Sequence, residues 1–180
     1  MRVSGGELRS RVIPAPSGTA VRPTPGRVKE ALFSIIGERI AGARVLDLYA
    51  GSGAIGFEAL SRGAEYVTFV ELHKPTAALI EETAERLGVR QRAGITCAPA
   101  ERAVQRVSGR FDFVYADPPY GLPPPHLTFS TLRARGAIDA TSLVVYERHS
   151  DRAPFASPGF ETVREARYGD VTLQFLKVLC

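Results

Sequence analysis

The fold of this chain is decided by residues 44–56, which read RVLDLYAGSGAIG. The first half is an apolar, β-branched run typical of a buried strand, and the second half is a glycine-rich turn. Gly51, Gly53 and Gly56 let the backbone turn tightly and approach a ligand, with a helix starting at residue 54. A strand, a glycine-rich turn and a helix in this order predict an α/β sheet that binds ligands at the carboxyl ends of its strands.

Strand and helix patterns alternate along the rest of the chain. We predict strands over 44–50, 66–72, 95–98, 111–116, 142–147, 160–166 and 171–178. Helices are predicted from Thr24-Pro25, over 54–62, from Pro75, and over 101–107 and 127–135. Because strands joined by helices make right-handed crossovers, this order predicts a mostly parallel, doubly wound sheet. The short turn at 168–170 predicts that the last two strands are antiparallel.

Two acidic residues narrow the ligand expected at the glycine-rich turn. Glu71 follows Gly51 by 20 positions, at the end of the second strand, where a carboxylate accepts the hydroxyls of a ribose. That position suits NAD and S-adenosylmethionine equally. Asp47 would repel a pyrophosphate but pairs with an ammonium group, so a ligand with an amino-acid tail and no phosphates fits better.

A second cluster follows the strand predicted over 111–116. Asp117, Pro118, Pro119 and Tyr120 form a stiff loop whose prolines offer carbonyl oxygens and no N–H donors. The Asp117 carboxylate and the Pro118 carbonyl would bind the two hydrogens of a planar amine, and Tyr120 would stack on the attached base. The loop therefore predicts methylation of an exocyclic amine beside the glycine-rich turn.

The formal net charge of +4 is concentrated at one end of the chain. Residues 1–30 hold six basic and two acidic side chains, whereas the remaining 150 residues hold 17 of each. We predict a hairpin over 1–13, with its turn at residues 5–6 and a second strand that projects its arginines from one face. Clustered charge steers a protein to a polyanion. The candidate RNA-binding residues are Arg2, Arg9, Arg11, Arg22 and Arg27.

Composition excludes several classes of protein. With 180 residues, 44% of them hydrophobic and 23% charged, the chain is predicted to be globular, and neither disordered nor membrane-spanning. Its first residues lack the apolar segment of a secretory signal, so the cytoplasm is expected. The two cysteines and three histidines lack the spacing of a disulfide framework or a metal site, and Cys97 is expected in the core.

Together these motifs resemble class I S-adenosylmethionine-dependent methyltransferases, and more narrowly the bacterial small-subunit ribosomal RNA guanine-N2 methyltransferases of the RsmD type. The resemblance runs from the arginine-rich hairpin through RPT (22–24), RVKEALF (27–33), AGSGAIGFEALSRGA (50–64), Glu71 and DPPY (117–120) to the final strands. It implies a doubly wound, mostly parallel, seven-stranded Rossmann-like sheet with an antiparallel last strand and an N-terminal β-hairpin extension. Residues 1–23 would be the basic hairpin and linker, and residues 24–180 the methyltransferase domain.

The resemblance also implies roles for individual residues. The residues expected to bind S-adenosylmethionine are Asp47, Tyr49, Gly51, Ser52, Gly53, Glu71, Leu72, Ala100 and Glu101. The residues expected to hold the target guanine are Asp117, Pro118, Pro119 and Tyr120, and no metal is implied. The implied partner is 16S rRNA in the small ribosomal subunit or a late assembly intermediate, bound by a monomer through the hairpin.

Two positions depart from the family pattern. Pro99 stands where related sequences often carry Asp or Asn to bind the adenine amine, which leaves the Ala100 N–H as the donor to adenine N1. Gly26 stands where an acidic residue is frequent. Other functions stay open, namely methylation of adenine N6 in nucleic acid or of a protein glutamine, NAD-dependent oxidation, and RNA binding by an assembly factor without catalysis.

Overall fold

The computed structural model describes residues 1–16, 26–119 and 121–179. The strands are β1 Arg44–Leu48, β2 Tyr66–Glu71, β3 Ala93–Cys97, β4 Phe113–Ala116, β5 Leu143–His149, β6 Phe160–Tyr168 and β7 Val171–Val178. The α-helices are α1 Gly26–Ile36, α2 Ala54–Ser61, α3 Lys74–Arg86, α4 Ala100–Ala103 and α5 His126–Ala134, with 3-10 turns at Gly37–Ile40 and Arg90–Arg92. The predicted helix start at Thr24-Pro25 lies outside the described residues.

The described strands form one seven-stranded sheet in the order β3-β2-β1-β4-β5-β7-β6. The pairs among β1 to β5 are parallel, whereas β7 is antiparallel to both β5 and β6. This confirms the predicted doubly wound, mostly parallel sheet with an antiparallel last strand. Because β1 lies next to β4, with the chain crossing over between them, the strand order reverses there, and ligands bind at such a point in α/β sheets.

Each face of the sheet carries its own apolar core. Val45, Phe113 and Val145 lie on one face and pack with α1, α2 and α3. Leu46 and Val114 lie on the other face and pack with α4 and α5. Alternate residues of a strand point to opposite faces, so burial on both faces requires the nearly continuous apolar runs that predicted these strands. Among the helices of the described residues, none is long and apolar enough to cross a bilayer.

Two local predictions are wrong. The helix predicted over 101–107 is helical only over Ala100–Ala103 and continues as turns. Cys97, expected in the core, is exposed, and its thiol donates to the Leu72 carbonyl at 3.6 Å. The cause is the strand order, since β3 is an edge strand and its last residue has a neighbouring strand on one side only.

The N-terminal segment, residues 1–16, pairs its two ends in antiparallel fashion, since the Val3 N–H donates to the Arg11 carbonyl at 3.0 Å and the Ile13 N–H to the Met1 carbonyl at 2.8 Å, but the pairing is too short to form two regular strands. It has an antiparallel bridge between Arg2 and Val12, while residues 7–10 are turns. Arg9 and Arg11 are exposed as expected, but the strand alternation predicted to align them is absent from this described segment. The turn of the segment makes contacts with α2 in addition to this pairing.

Those contacts centre on Ser61 of α2. The N–H groups of Glu7 and Leu8 donate to the Ser61 carbonyl and hydroxyl oxygens, both at 2.8 Å. Gly6 has φ +77°, and a Cβ at this position would lie 1.8 Å from the Ser61 carbonyl oxygen. Only glycine allows this close approach, which places Leu8 in the core.

A buried ion pair joins α1, α2 and the N-terminal segment. Lys29 of α1 is 1% exposed and pairs with Glu58 of α2, which is 0% exposed, while its Nζ also donates to the Arg2 carbonyl at 3.0 Å. Glu58 accepts further hydrogen bonds from the N–H groups of Ser4 and Gly5, at 2.8 and 2.9 Å. Burial opposes the charge of Glu58, but the hydrogen bonds from Lys29 and Ser4 lower its pKa below the ordinary value.

Replacing Glu58 with Gln should destabilise the protein, because it leaves the Lys29 ammonium buried without its carboxylate. Breaking a buried pair from one side costs about 3–5 kcal/mol. We expect a loss of that order in the free energy of unfolding, measured by urea denaturation, together with faster amide exchange in residues 1–16.

The matched control is Glu81→Gln, which breaks an exposed ion pair with Arg90. Exposed pairs contribute less than about 1 kcal/mol, so this variant should stay close to the wild type. Equal losses in the two variants would show that the buried pair does not anchor the segment.

Candidate active site

A cavity of about 780 Å³ opens where the central strands end. The predicted site residues that line it are Asp47, Tyr49, Gly51, Ser52, Glu71, Leu72, Ala100, Glu101, Asp117, Pro118 and Pro119. The glycine-rich turn and the Asp-Pro-Pro loop therefore meet at one cavity, although they are separated by more than 60 positions in sequence. Tyr120 lies outside the described residues.

The turn after β1 is shaped by its backbone. Tyr49 has φ +60°, a left-handed conformation that is uncommon outside glycine, and the Ala50 N–H donates to the Val70 carbonyl at 2.9 Å. Gly53 has φ +77°, and a Cβ there would lie 2.8 Å from the Phe57 ring. Gly53 thus contributes to the turn and to its packing against α2. Burial raises the pKa of Tyr49 to about 12, so its hydroxyl stays protonated at neutral pH.

Glu71 is the last residue of β2, and both oxygens of its carboxylate accept hydrogen bonds from backbone N–H groups. Its Oε2 accepts the Gly51 N–H at 2.8 Å, and its Oε1 accepts the His73 N–H at 2.8 Å. A carboxylate has about four acceptor sites, so each oxygen keeps capacity for a ligand hydroxyl. This arrangement can bind a vicinal diol such as that of a ribose.

Asp47 lies in β1, is 1% exposed, and accepts the Gly56 N–H at 3.0 Å. Burial raises its pKa to about 8; the Gly56 hydrogen bond acts in the opposite direction, and repulsion from Glu71 adds to the rise. The pKa of Asp47 is high because the carboxylate has lost water without gaining a cation.

Two more carboxyl groups, those of Asp117 and Glu147, line the same cavity as Asp47. Burial raises the pKa of Asp117 well above its ordinary value, and repulsion from Glu147 and Asp47 adds to the effect. Glu147 lies in β5, is 6% exposed, and accepts a hydrogen bond from the Tyr115 hydroxyl. Burial raises the pKa of Glu147 to about 7, against the effect of that hydrogen bond.

Glu147 was not predicted from the sequence as a site residue. One signal was available, because Glu147 directly follows the apolar run LVVY (143–146) within a strand. An acidic residue inside a buried strand is unusual, since burying a charge is costly unless it is paired. Its position next to Asp117 depends on β5 pairing with β4, which the sequence does not specify.

The buried carboxyl groups favour a cationic ligand. Within residues 1–16, 26–119 and 121–179, no lysine or arginine forms an ion pair with Asp47, Asp117 or Glu147. In the same ranges, no group of His, Cys, Asp and Glu side chains is arranged to hold a metal ion. An organic cation would compensate the buried acidic groups and stabilise their ionised forms.

None of the described arginines expected to bind RNA lines the cavity, although Met1, which precedes Arg2, does. Arg2, Arg9, Arg11 and Arg27 are exposed, and Arg22 lies outside the described residues. The Arg2 guanidinium donates to the Ser10 carbonyl at 2.8 Å. Pro99 directly precedes α4, and Pro99, Ala100 and Glu101 all line the cavity, where a proline side chain provides no hydrogen-bonding group for a ligand.

Comparison with known proteins places the chain in a family. The family model described as Conserved hypothetical protein 95 matches residues 1–177. Ribosomal RNA small subunit methyltransferase D of Haemophilus influenzae is 31% identical over 183 residues, which cover 96% of this chain and 91% of the relative. The chain belongs to the family that the Conserved hypothetical protein 95 model describes. Ribosomal RNA small subunit methyltransferase D of Escherichia coli is 29% identical over 172 residues, covering 95% of this chain and 86% of that protein.

Solved structures agree with this assignment. The Escherichia coli protein yhhF has the same fold, with a TM-score of 0.88 and 27% identity, covering 99% of this chain and 98% of that one. Membership in the family makes the chain a methyltransferase. NAD-dependent oxidation and RNA binding without catalysis, both left open by the sequence, are thereby set aside.

Proposed function

We propose that this methyltransferase transfers the methyl group of S-adenosylmethionine to the exocyclic N2 amine of a guanine in 16S rRNA. The observation that carries the proposal is the meeting of buried, uncompensated carboxyl groups with the Asp-Pro-Pro loop at one cavity. We further propose that the protein acts as a cytoplasmic monomer on the small ribosomal subunit or a late assembly intermediate.

The residues of the cavity fit S-adenosylmethionine. Its sulfonium and ammonium groups match the buried acidic side chains, and the doubly held Glu71 carboxylate matches its ribose hydroxyls. Asp47 lies at the end of β1, where it would face the amino-acid tail. When bound, S-adenosylmethionine supplies a methyl group on a positively charged sulfur that leaves as a neutral thioether.

The Asp-Pro-Pro loop supports an amine as the methyl acceptor. Asp117 and the Pro118 carbonyl offer acceptors for the two amine hydrogens, which would orient the nitrogen lone pair toward the cavity. Guanine N2 is a poor nucleophile because its lone pair is delocalised into the ring. Asp117 would stabilise the positive charge that develops on nitrogen in the transition state.

The assignment of guanine as the methylated base rests on similarity to named relatives. Adenine N6 and a glutamine amide present a similar NH2 group, and the loop geometry does not separate them from guanine N2. Relatives that share most of the chain are named ribosomal RNA small subunit methyltransferase D, which supports ribosomal RNA as the substrate. The target base must be unstacked to reach the cavity, because an amine inside a stacked helix is inaccessible.

We propose that residues 1–23 dock the enzyme on RNA phosphates and that residues 24–180 carry out the transfer. Arg2, Arg9 and Arg11 are exposed on a segment fixed to α2. A fixed basic surface would position the cavity relative to the RNA backbone, whereas the cavity would select the base.

Replacing Asp117 with Ala should lower the single-turnover rate on small subunits by about a hundredfold or more, because the amine loses its orienting acceptor. S-adenosylmethionine binding, measured by calorimetry, should persist. Glu161→Ala changes an exposed acidic residue of β6 and should keep the wild-type rate. Near-normal turnover by Asp117→Ala would overturn the assigned role.

Replacing Arg9 and Arg11 with Glu should weaken binding to small subunits and reduce its dependence on salt, because fewer counterions are released. Affinity for S-adenosylmethionine should not change. The control reverses the same number of charges at the exposed residues Arg106 and Lys177. An unchanged salt dependence in the Arg9/Arg11 variant would give the N-terminal segment a structural role only.

A further inference from the structure

The register of the sheet makes Asp117 and Glu147 neighbours. The parallel pairing of β4 and β5 ends with Ala116 opposite Tyr146, and Asp117 and Glu147 are the residues that follow on the two sides. Side chains at matched positions of adjacent parallel strands point to the same face. Both residues line the large cavity, and both also line a small cavity of about 10 Å³ beside it.

On the two strands beside it, Glu147 has acidic, hydroxyl and apolar neighbours. From β4 it faces Asp117 and the Tyr115 hydroxyl, which donates a hydrogen bond to it, and Asp47 of β1 lies beyond Asp117. From β7, the residue opposite Glu147 is Leu173.

Arg148 and Arg152 line the small cavity together with Asp117 and Glu147, but among the described residues neither arginine forms an ion pair with these two carboxyl groups, and the Arg152 guanidinium donates to the Leu122 carbonyl at 3.0 Å. The Arg148 guanidinium, next along β5, donates to Glu165 at 3.0 Å and to the Arg152 carbonyl at 2.6 Å. Tyr168 and Asp170, at the tip of the hairpin formed by β6 and β7, line the large cavity, and His149 lines the small one. Glu147 thus has a direct hydrogen bond from Tyr115 and an acidic neighbour in Asp117.

We propose that Glu147 is a positioning residue for methyl transfer, which acts through Asp117 by making that carboxylate a stronger acceptor for the proton released by the amine. This inference rests on the proposed function, because it states which group accepts the proton released in the same reaction. Glu147 itself need not touch the base.

The proposed step is balanced in atoms and electrons. The nitrogen lone pair forms the new N–C bond, and the C–S bond breaks with its electron pair left on sulfur. The methylated nitrogen then carries a positive charge and an acidic proton, which passes to a carboxylate oxygen of Asp117. The product is a neutral secondary amine, and the proton leaves to solvent after product release.

Glu147 affects this step through charge. Two adjacent carboxyl groups ionise with difficulty together, so a negative Glu147 increases the affinity of Asp117 for a proton. The Tyr115 hydroxyl stabilises the negative form of Glu147 by donating to it. A cation bound in the cavity would offset the repulsion, so that Asp117 enters the reaction ionised and strongly basic.

The coupling is tested first in the free protein by carbon NMR of labelled carboxyl groups across a pH series. Glu147→Gln is nearly isosteric and should move the titration midpoint of Asp117 down by about one pH unit or more, because the like charge is removed. Glu161→Gln, on the exposed strand β6, should leave that midpoint unchanged. An unchanged Asp117 midpoint in Glu147→Gln would overturn the proposal.

A second variant covers the case in which Glu147→Gln does not fold. Tyr115→Phe removes the hydroxyl that stabilises the negative Glu147, so Glu147 should titrate at higher pH and Asp117 at lower pH than in the wild type. Identical titrations of both groups in this variant would also overturn the proposal.

The catalytic consequence is tested by the pH dependence of the single-turnover rate on small subunits. Glu147→Gln should move the acidic limb to lower pH by about one unit or more, and Glu147→Asp should restore it. A merely structural residue would change the rate at every pH and leave the limb in place, which would contradict the proposal. If the wild type methylates no guanine N2, the proposed function is wrong. The NMR titration still shows whether Glu147 raises the proton affinity of Asp117.

Discussion

Two buried carboxyl groups and a third that is partly buried lie near the carboxyl ends of adjacent parallel strands, and they determine which ligands this protein favours. Asp47, Asp117 and Glu147 come from β1, β4 and β5, and the register of these strands brings them to one cavity. Burying acidic groups without cations is unfavourable for folding, as their raised pKa values show. A positively charged ligand would offset that cost, so the feature that is unfavourable for folding favours binding.

A second group of buried charges differs from the cavity acids because its acidic residue is paired with a cation. Lys29 and Glu58 are fully paired, and the N-terminal segment adds hydrogen bonds to both. Unlike the cavity acids, Glu58 has a lowered pKa and therefore stabilises the fold when it is ionised. The Lys29–Glu58 pair fixes the basic N-terminal segment to α1 and α2. The acids of the cavity have no such cation and can bind a positively charged ligand. The chain thus has one buried ion pair that stabilises its fold and a separate group of acids that lines the ligand cavity.

Local patterns predicted most of the sheet and both halves of the cavity. Buried parallel strands need continuous apolar runs, and glycine or proline marks where they end, so β1, β4, Glu71 and the Asp-Pro-Pro loop were readable from the sequence. The longer turn of the N-terminal segment was not, because its bonds to Ser61 depend on the packing of the segment against α2. Glu147 was missed because its role depends on strand pairing, and Cys97 was misplaced because the sequence does not mark β3 as an edge.

The most direct test of the account is to locate the transferred methyl group. Small ribosomal subunits, free 16S rRNA and duplex DNA would be incubated in parallel with the protein and labelled S-adenosylmethionine, and the modified nucleotide would then be mapped. The account predicts label on the N2 amine of a guanine in the 16S rRNA of small subunits. Label on adenine N6, in DNA or on a protein glutamine would contradict it.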